Sequence, residues 1–205
     1  MYSFVSFYAQ KVTLLYDNLL RLVMATSKTG SFWLTENVEI AALAQTAAGT
    51  IDLGAYVDVG DQQAIAIEEV DFIYQAHEIA ADSYDGYFAG SVVGDTAFDA
   101  QLSDQNPGGV ILRADDQNLI ASGTMNINDA NNVLSMGPDL YPDTFGKLDE
   151  SRMVVNDQLY FVVHSTNAIA AGQGLSCTAR IKARIVKLST KDWMAIAIQS
   201  TAADN

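Results

Sequence analysis

From Leu175 to Leu188 the chain alternates without a break. Leu175, Cys177, Ala179, Ile181, Ala183 and Ile185 are apolar, while Ser176, Thr178, Arg180, Lys182 and Arg184 between them are polar or cationic. Successive side chains point to opposite faces of a pleated strand, so this stretch predicts a long strand with an apolar inner face and a basic outer one. Similar alternation recurs upstream. Phe32, Leu34, Val38 and Ile40 open a first strand. Ile51, Leu53, Ala55, Val57 and Val59 read as the inward positions of a second strand, Thr50 to Val59. Ile65 and Ile67 continue after the Gly60-Asp61 turn, but Val70, Phe72 and Tyr74 fall in the opposite phase. The slip at Glu68-Glu69 predicts a β-bulge or a strand that changes partner.

Beyond this, turn residues punctuate the chain at Asp82, Asp85-Gly86, Gly90, Gly94-Asp95 and Asn106-Pro107-Gly108-Gly109. They bracket short strands at Tyr87–Val93 and Ala97–Leu102, and then a hairpin of Val110–Arg113 with Leu119–Ile127. Asn128 to Glu150 is a long polar connection. Arg152–Val155 and Leu159–His164 precede the basic strand, and Trp193–Ile198 closes a C-terminal hairpin after Ser189-Thr190-Lys191. About eight short strands predict an all-β fold: a two-sheet antiparallel sandwich, most simply a jelly roll, over residues 31–205.

Residues 1–30 follow a different rule. Val5, Tyr8, Val12, Leu15, Leu19 and Leu22 recur every three or four positions, which predicts an N-terminal amphipathic helix or arm. Lys11, Asp17 and Arg21 break any membrane-spanning reading. Such a segment docks on the domain or a neighbouring subunit, or lies on a lipid surface. A further alternative is that translation starts at Met24, with the first 23 residues outside the mature protein.

Composition sharpens the picture at one place. The net charge is −14, with 25 acidic residues against 11 Lys and Arg. Five of those eleven cations, Arg180, Lys182, Arg184, Lys187 and Lys191, lie within a dozen residues. At this overall charge the surface as a whole is unsuited to nucleic acid. A basic strip on an acidic molecule can instead meet the acidic surface of an identical neighbour, face enclosed nucleic acid, or be the solvated face of an edge strand. Neighbour contact is the reading preferred for these five residues.

Catalytic signatures are missing from the sequence. His77 and His164 have no metal-ligand spacing, and Gly90-Ser91-Val92-Val93-Gly94 puts its serine one place early for a nucleophile elbow. Glu68-Glu69 and Asp115-Asp116 are adjacent and face apart on a strand. No enzyme is expected. The lone Cys177 excludes an internal disulfide and reads as a small buried hydrophobe. Asn126, Asn128, Asp129 and Asn131 gather oxygen-bearing side chains suited to Ca2+, with Asp82 and Asp85 a weaker group. Asn and Asp also occupy turns for conformational reasons alone, and the turn reading is preferred; no cofactor is otherwise expected.

In its layout the chain resembles single jelly-roll capsid proteins of tailless icosahedral viruses: an all-β domain over Ser31 to Ile198, a detachable N-terminal arm, irregular Ala/Gly/Asp loops and no active-site signature. The resemblance implies a virion structural protein, a major capsid subunit that self-assembles with identical copies and with other virion proteins. The arm or basic strip would then face neighbours, internal nucleic acid or membrane. The alternatives are an extracellular or cell-surface carbohydrate- or calcium-binding β-sandwich, with Tyr84, Tyr87 and Tyr141 as an aromatic platform, and a surface-layer or filament subunit.

Overall fold

The computed structural model describes residues 25–86, 88, 90–131, 133–136 and 151–202. The expected N-terminal helix, Tyr87, Tyr141 and most of the connection before Glu150 lie outside these. The described strands are β1 (Ala25–Ser27), β2 (Phe32–Ile40), β3 (Thr46–Asp52), β4 (Gln63–Glu78), β5 (Ser83–Asp85) and β6 (Thr96–Ser103). They continue with β7 (Leu119–Asn128), β8 (Val133–Met136), β9 (Arg152–Val154), β10 (Gln158–Ser165) and β11 (Gln173–Leu188), and one helix, α1 (Thr190–Ala202), follows.

In one sheet β11 lies between β4 on one side and β2 and β1 on the other, and β4 carries β9 and β5 along its far side. The second sheet has the order β3-β10-β6-β7-β8, and every pairing in both sheets is antiparallel. The row β2-β11-β4-β9 thus faces the row β3-β10-β6-β7, and the chain passes between sheets at most of its connections. Eight strands in that arrangement are a jelly roll. The fold expected from periodicity is the one observed.

The core follows from the alternation. Ile40, Ile65, Ile67, Leu175, Cys177, Ala179, Ile181 and Ala183 from one sheet are fully buried against Phe98, Leu102, Leu159, Phe161 and Val163 from the other. Phe72 stacks on Phe161 with centroids 5.8 Å apart, joining the layers. Burial raises the Cys177 thiol far above its ordinary range, so it stays protonated and packs as a hydrophobe. β4 crosses both phases of its sequence through a bulge: Lys182 pairs with Glu69 and Ala183 with Ile67, leaving Glu68 as the extra residue. That is the slip anticipated at Glu68-Glu69.

Four expectations are corrected. The described residues of Tyr87–Val93 form no strand, only an isolated bridge from Val92 to Ile169. Thr50 to Val59 is not one strand, because β3 stops at Asp52, whose carboxylate accepts the Gly54 amide at 2.8 Å and turns the chain. Val110 to Arg113 is no strand either. The Gln101 side chain holds this backbone from both sides, accepting from the Leu112 amide at 2.7 Å and donating to its carbonyl at 3.0 Å. The hairpin partner of β7 is therefore β6. Finally, Trp193–Ile198 belongs to α1. Ser189 caps it: its hydroxyl accepts the Asp192 amide at 3.2 Å and lies 2.6 Å from the Asp192 carboxylate. Trp193, Ile196 and Ala197 then share one helical face over a second cluster of Ala25, Ala64, Ala66, Val155, Val186 and Leu188.

Candidate assembly surface

The basic strip is the outer face of β11, and β11 is a central strand, so the edge-strand reading of its charges does not hold. Cross-strand register decides what each cation meets. Arg180 sits over the Trp33 ring, 4.6 Å from its centroid, with Thr35 and Asp71 as its neighbours across the ladders. Lys182 lies 3.8 Å from Glu69, directly opposite it. Arg184 is ion-paired with Glu68, the bulge residue, whose carboxylate also accepts from the Ser31 hydroxyl at 2.8 Å. Glu68 is buried, so Arg184 acts inside the fold. Lys187 and Lys191 are exposed, at the end of β11 and in the first turn of α1. The five cations therefore divide into Lys182 and Arg184, neutralised by their own sheet, and Arg180, Lys187 and Lys191, which have no ion pair among the described residues; Lys187 stands on the opposite side of β11 from Arg180.

Next to the strip, at the other end of the same face, His77 on β4 is held between acidic groups. Its Nδ1 is 2.9 Å from both Glu39 carboxylate oxygens, and its Nε2 is 3.4 Å from Asp82 Oδ1. Tyr84 stacks on the ring at 4.2 Å and 8°. Glu39 reaches His77 by crossing β11 at Gly174, where a Cβ would collide with the carboxylate. The hydrogen bond to Glu39 raises the His77 pKa above 6.5, against the lowering effect of burial; the Glu39 charge and Asp82 add to the rise. The folded-state value is above the unfolded one. Its stabilisation is thus fully present below about pH 6.5 and is lost as pH climbs through the raised value. A ring titration by NMR should give His77 a pKa above 6.5 that returns toward 6.5 in Glu39→Gln; an unchanged value in that variant contradicts the assignment. Tyr84, the described member of the expected aromatic platform, thereby has one face on His77 and is 48% exposed.

His164, on the outer face of the other sheet, is half-exposed with Nδ1 4.0 Å from Asp99. The cluster proposed for calcium forms the turn after β7. Asn128 Oδ1 accepts from the Asn131 amide at 2.9 Å and from its side chain at 2.7 Å. Asp95 accepts from the Asn128 side chain at 3.2 Å and the Asp129 amide at 3.0 Å, and Asp129 accepts from the Gly90 amide at 3.4 Å. Asn126, on β7, lines a shallow cavity with Asp95 and Asn128. The two Asn128–Asn131 bonds close the turn, and the bonds of Asp95 and Asp129 tie it to the segment before β6. Among the described residues no three His, Cys, Asp or Glu side chains group as a metal site.

A cavity of about 210 Å³ lies under α1, lined by Asp104, Arg152, Gln117, Met153, Ile196 and Gln199 among others. Asp104 is buried and paired with Arg152 at 3.1 Å. Burial raises its pKa, and Arg152 opposes the rise. The pair ties β9 to the loop after β6.

The surface also holds a feature that periodicity did not single out. β8 is the outermost strand of its sheet, and no described strand pairs with its far side. Leu134 and Met136 are in register with the core residues Ile127 and Met125, so they extend the inner, apolar face of the sheet beyond the cover of the opposite layer. Val133, Leu134 and Met136 are 54%, 45% and 60% exposed. Four successive exposed residues, three of them apolar, on an open edge are what a solitary domain avoids. The signal was available as Val133-Leu134 and Met136 inside a stretch read as polar connection.

No family model and no curated protein matches the chain. Among solved structures it is similar to VP1 of Merkel cell polyomavirus, in an unassembled pentamer, at 9% identity and TM-score 0.38, over 80% of this chain and 99% of that one. It is also similar to VP1 of KI polyomavirus, an unassembled pentamer, at 8% identity and TM-score 0.42, over 80% and 97%. VP1 of human polyomavirus 6, a pentamer, matches at 7% identity and TM-score 0.40, again over 80% and 97%. The jelly-roll assignment stands on this chain's own strand order. Among the described residues no helix is long and apolar enough to cross a membrane.

Proposed function

We propose that this chain is a self-assembling shell subunit, a major capsid protein of a virion, whose partners are identical copies of itself. Jelly rolls serve in capsids, lectins and cupins, so the fold narrows the choice and the surface must make it. The observation that carries the reading is the apolar β8 edge, which no described strand pairs on its far side and whose core-facing side chains are exposed, ready for a neighbour to complete. Arg180, Lys187 and Lys191 supply the second element, cationic positions able to meet the acidic surface of an adjoining copy. Lys182 and Arg184 are paired with carboxylates of their own sheet. Light scattering on the purified chain tests this: a mass many times 22.1 kDa is expected. Reversing Arg180, Lys187 and Lys191 together to Glu should lower that mass while leaving the circular dichroism spectrum intact. An unchanged mass makes the three cations a solvated face.

A further inference from the structure

β5 is a lightly held piece of its sheet. It is three residues long, exposed at each of them, and pairs with β4 at Ala76, His77 and Glu78. Short, exposed edge pairs lie at the low end of local stability, so side chains decide whether this hairpin stays closed. His77 supplies two ties: the stack on Tyr84, and the contact of Nε2 with Asp82 in the turn that joins β4 to β5. Asp82 keeps a left-handed backbone there, at φ 49°, which is unfavourable for a residue with a Cβ.

The two ring nitrogens decide which protonation state fits. Nδ1 lies against both Glu39 oxygens, and a carboxylate only accepts, so Nδ1 carries a proton whenever this contact is kept. In a neutral ring Nε2 is then a bare acceptor, shut off from water and 3.4 Å from another acceptor, Asp82 Oδ1. In the imidazolium both nitrogens donate, and each faces a carboxylate. No neighbouring group supplies that charge instead. β11 brings Gly174 and Ser176, and β4 brings Gln75, all uncharged. Glu78 on β4 and Asp85 on β5 belong to the other face by alternation and add only negative charge. Tyr84 stays neutral, because burial and then the Glu39 and Asp82 charges raise its pKa above 10.

We propose that His77 is a proton-operated latch on the β4–β5 hairpin: the imidazolium draws Asp82 in and closes β5 on β4, while the neutral ring repels Asp82 and lets β5 open. Opening bares the Ala76–Glu78 edge of β4, so pH sets whether that edge is covered. The latch is closed below the raised His77 pKa and opens as pH climbs through it. It works within one chain, whether or not the protein forms a shell.

Amide hydrogen exchange on the full chain tests it, with rates converted to protection factors so that the intrinsic effect of pH is removed. Between about pH 6 and about pH 9, protection of residues 79–85 should fall about tenfold or more while β6 and β7 keep theirs. The midpoint should equal the His77 pKa read from the ring by NMR. Unchanged protection, a midpoint elsewhere, or equal loss in β6 and β7 overturns the proposal. Asp82→Asn separates the latch from a merely structural contact. Its side chain is 89% exposed, and an amide can accept from the charged ring or donate to the neutral one. In that variant the hairpin should stay protected at both pH values; opening over the same range as the native chain overturns the proposal.

Discussion

Arg184→Ala is expected to lower the unfolding free energy by about 3 kcal/mol, read from urea denaturation. Removing one partner of a buried ion pair strands the other charge, which costs about 3–5 kcal/mol. The low end applies here because the Arg184 side chain keeps 21% exposure while Glu68 is buried. Glu68 has no escape to solvent. It is the extra residue of the β4 bulge, fixed by ladder pairs on both sides at Lys182–Glu69 and Ala183–Ile67. Its other tie, the Ser31 hydroxyl, offers a hydrogen bond but no charge. Glu68→Ala combined with Arg184→Ala should therefore recover much of the loss, because the stranded carboxylate is gone. If Arg184→Ala alone is harmless, Arg184 is a surface cation after all and belongs with the exposed members of the strip.

Leu134→Lys with Met136→Lys is expected to raise the concentration needed for self-association about a hundredfold. Burying side chains of this size is worth about 1.5 kcal/mol or more each, and about 1.4 kcal/mol corresponds to a factor of ten in an equilibrium. Charges on an edge strand also oppose pairing directly. Because both residues are exposed in the isolated subunit, the melting temperature should not move. A lower melting temperature with unchanged association would mean that the chain covers this face itself, and β8 would no longer carry the assembly reading.

Much of the fold is legible in the sequence where one face of a strand is buried and the other is not. β11 alternates over its length because its inner residues, Leu175 to Ala183, meet the opposite sheet. The bulge at Glu68 is legible for the same reason, as a change of phase between Ile67 and Val70. α1 is not, because Trp193 to Ile198 is apolar at every position; the helical spacing shows only when Ser200 and the Ser189 cap are included. Loop 110–113 reads as a strand because Val110, Ile111 and Leu112 are apolar. Its backbone is instead claimed by Gln101, a side chain on another element.

The strip shows a different limit. Five cations within a dozen residues are visible at once, yet which of them are free depends on register with residues over a hundred positions away. Pairing Lys182 with Glu69 and setting Glu68 beside Arg184 are consequences of how β4 lies on β11. Side-chain alternation says which face a charge occupies, never what stands beside it. β8 was missed for the converse reason: four residues are too few for a period, and their importance comes from lying at the end of a sheet.

Electron microscopy of the purified chain at high concentration tests the shell reading most directly. Closed particles of uniform size, with β8 at the boundaries between subunits, are the predicted result. A field of separate 22.1 kDa monomers under those conditions would contradict it.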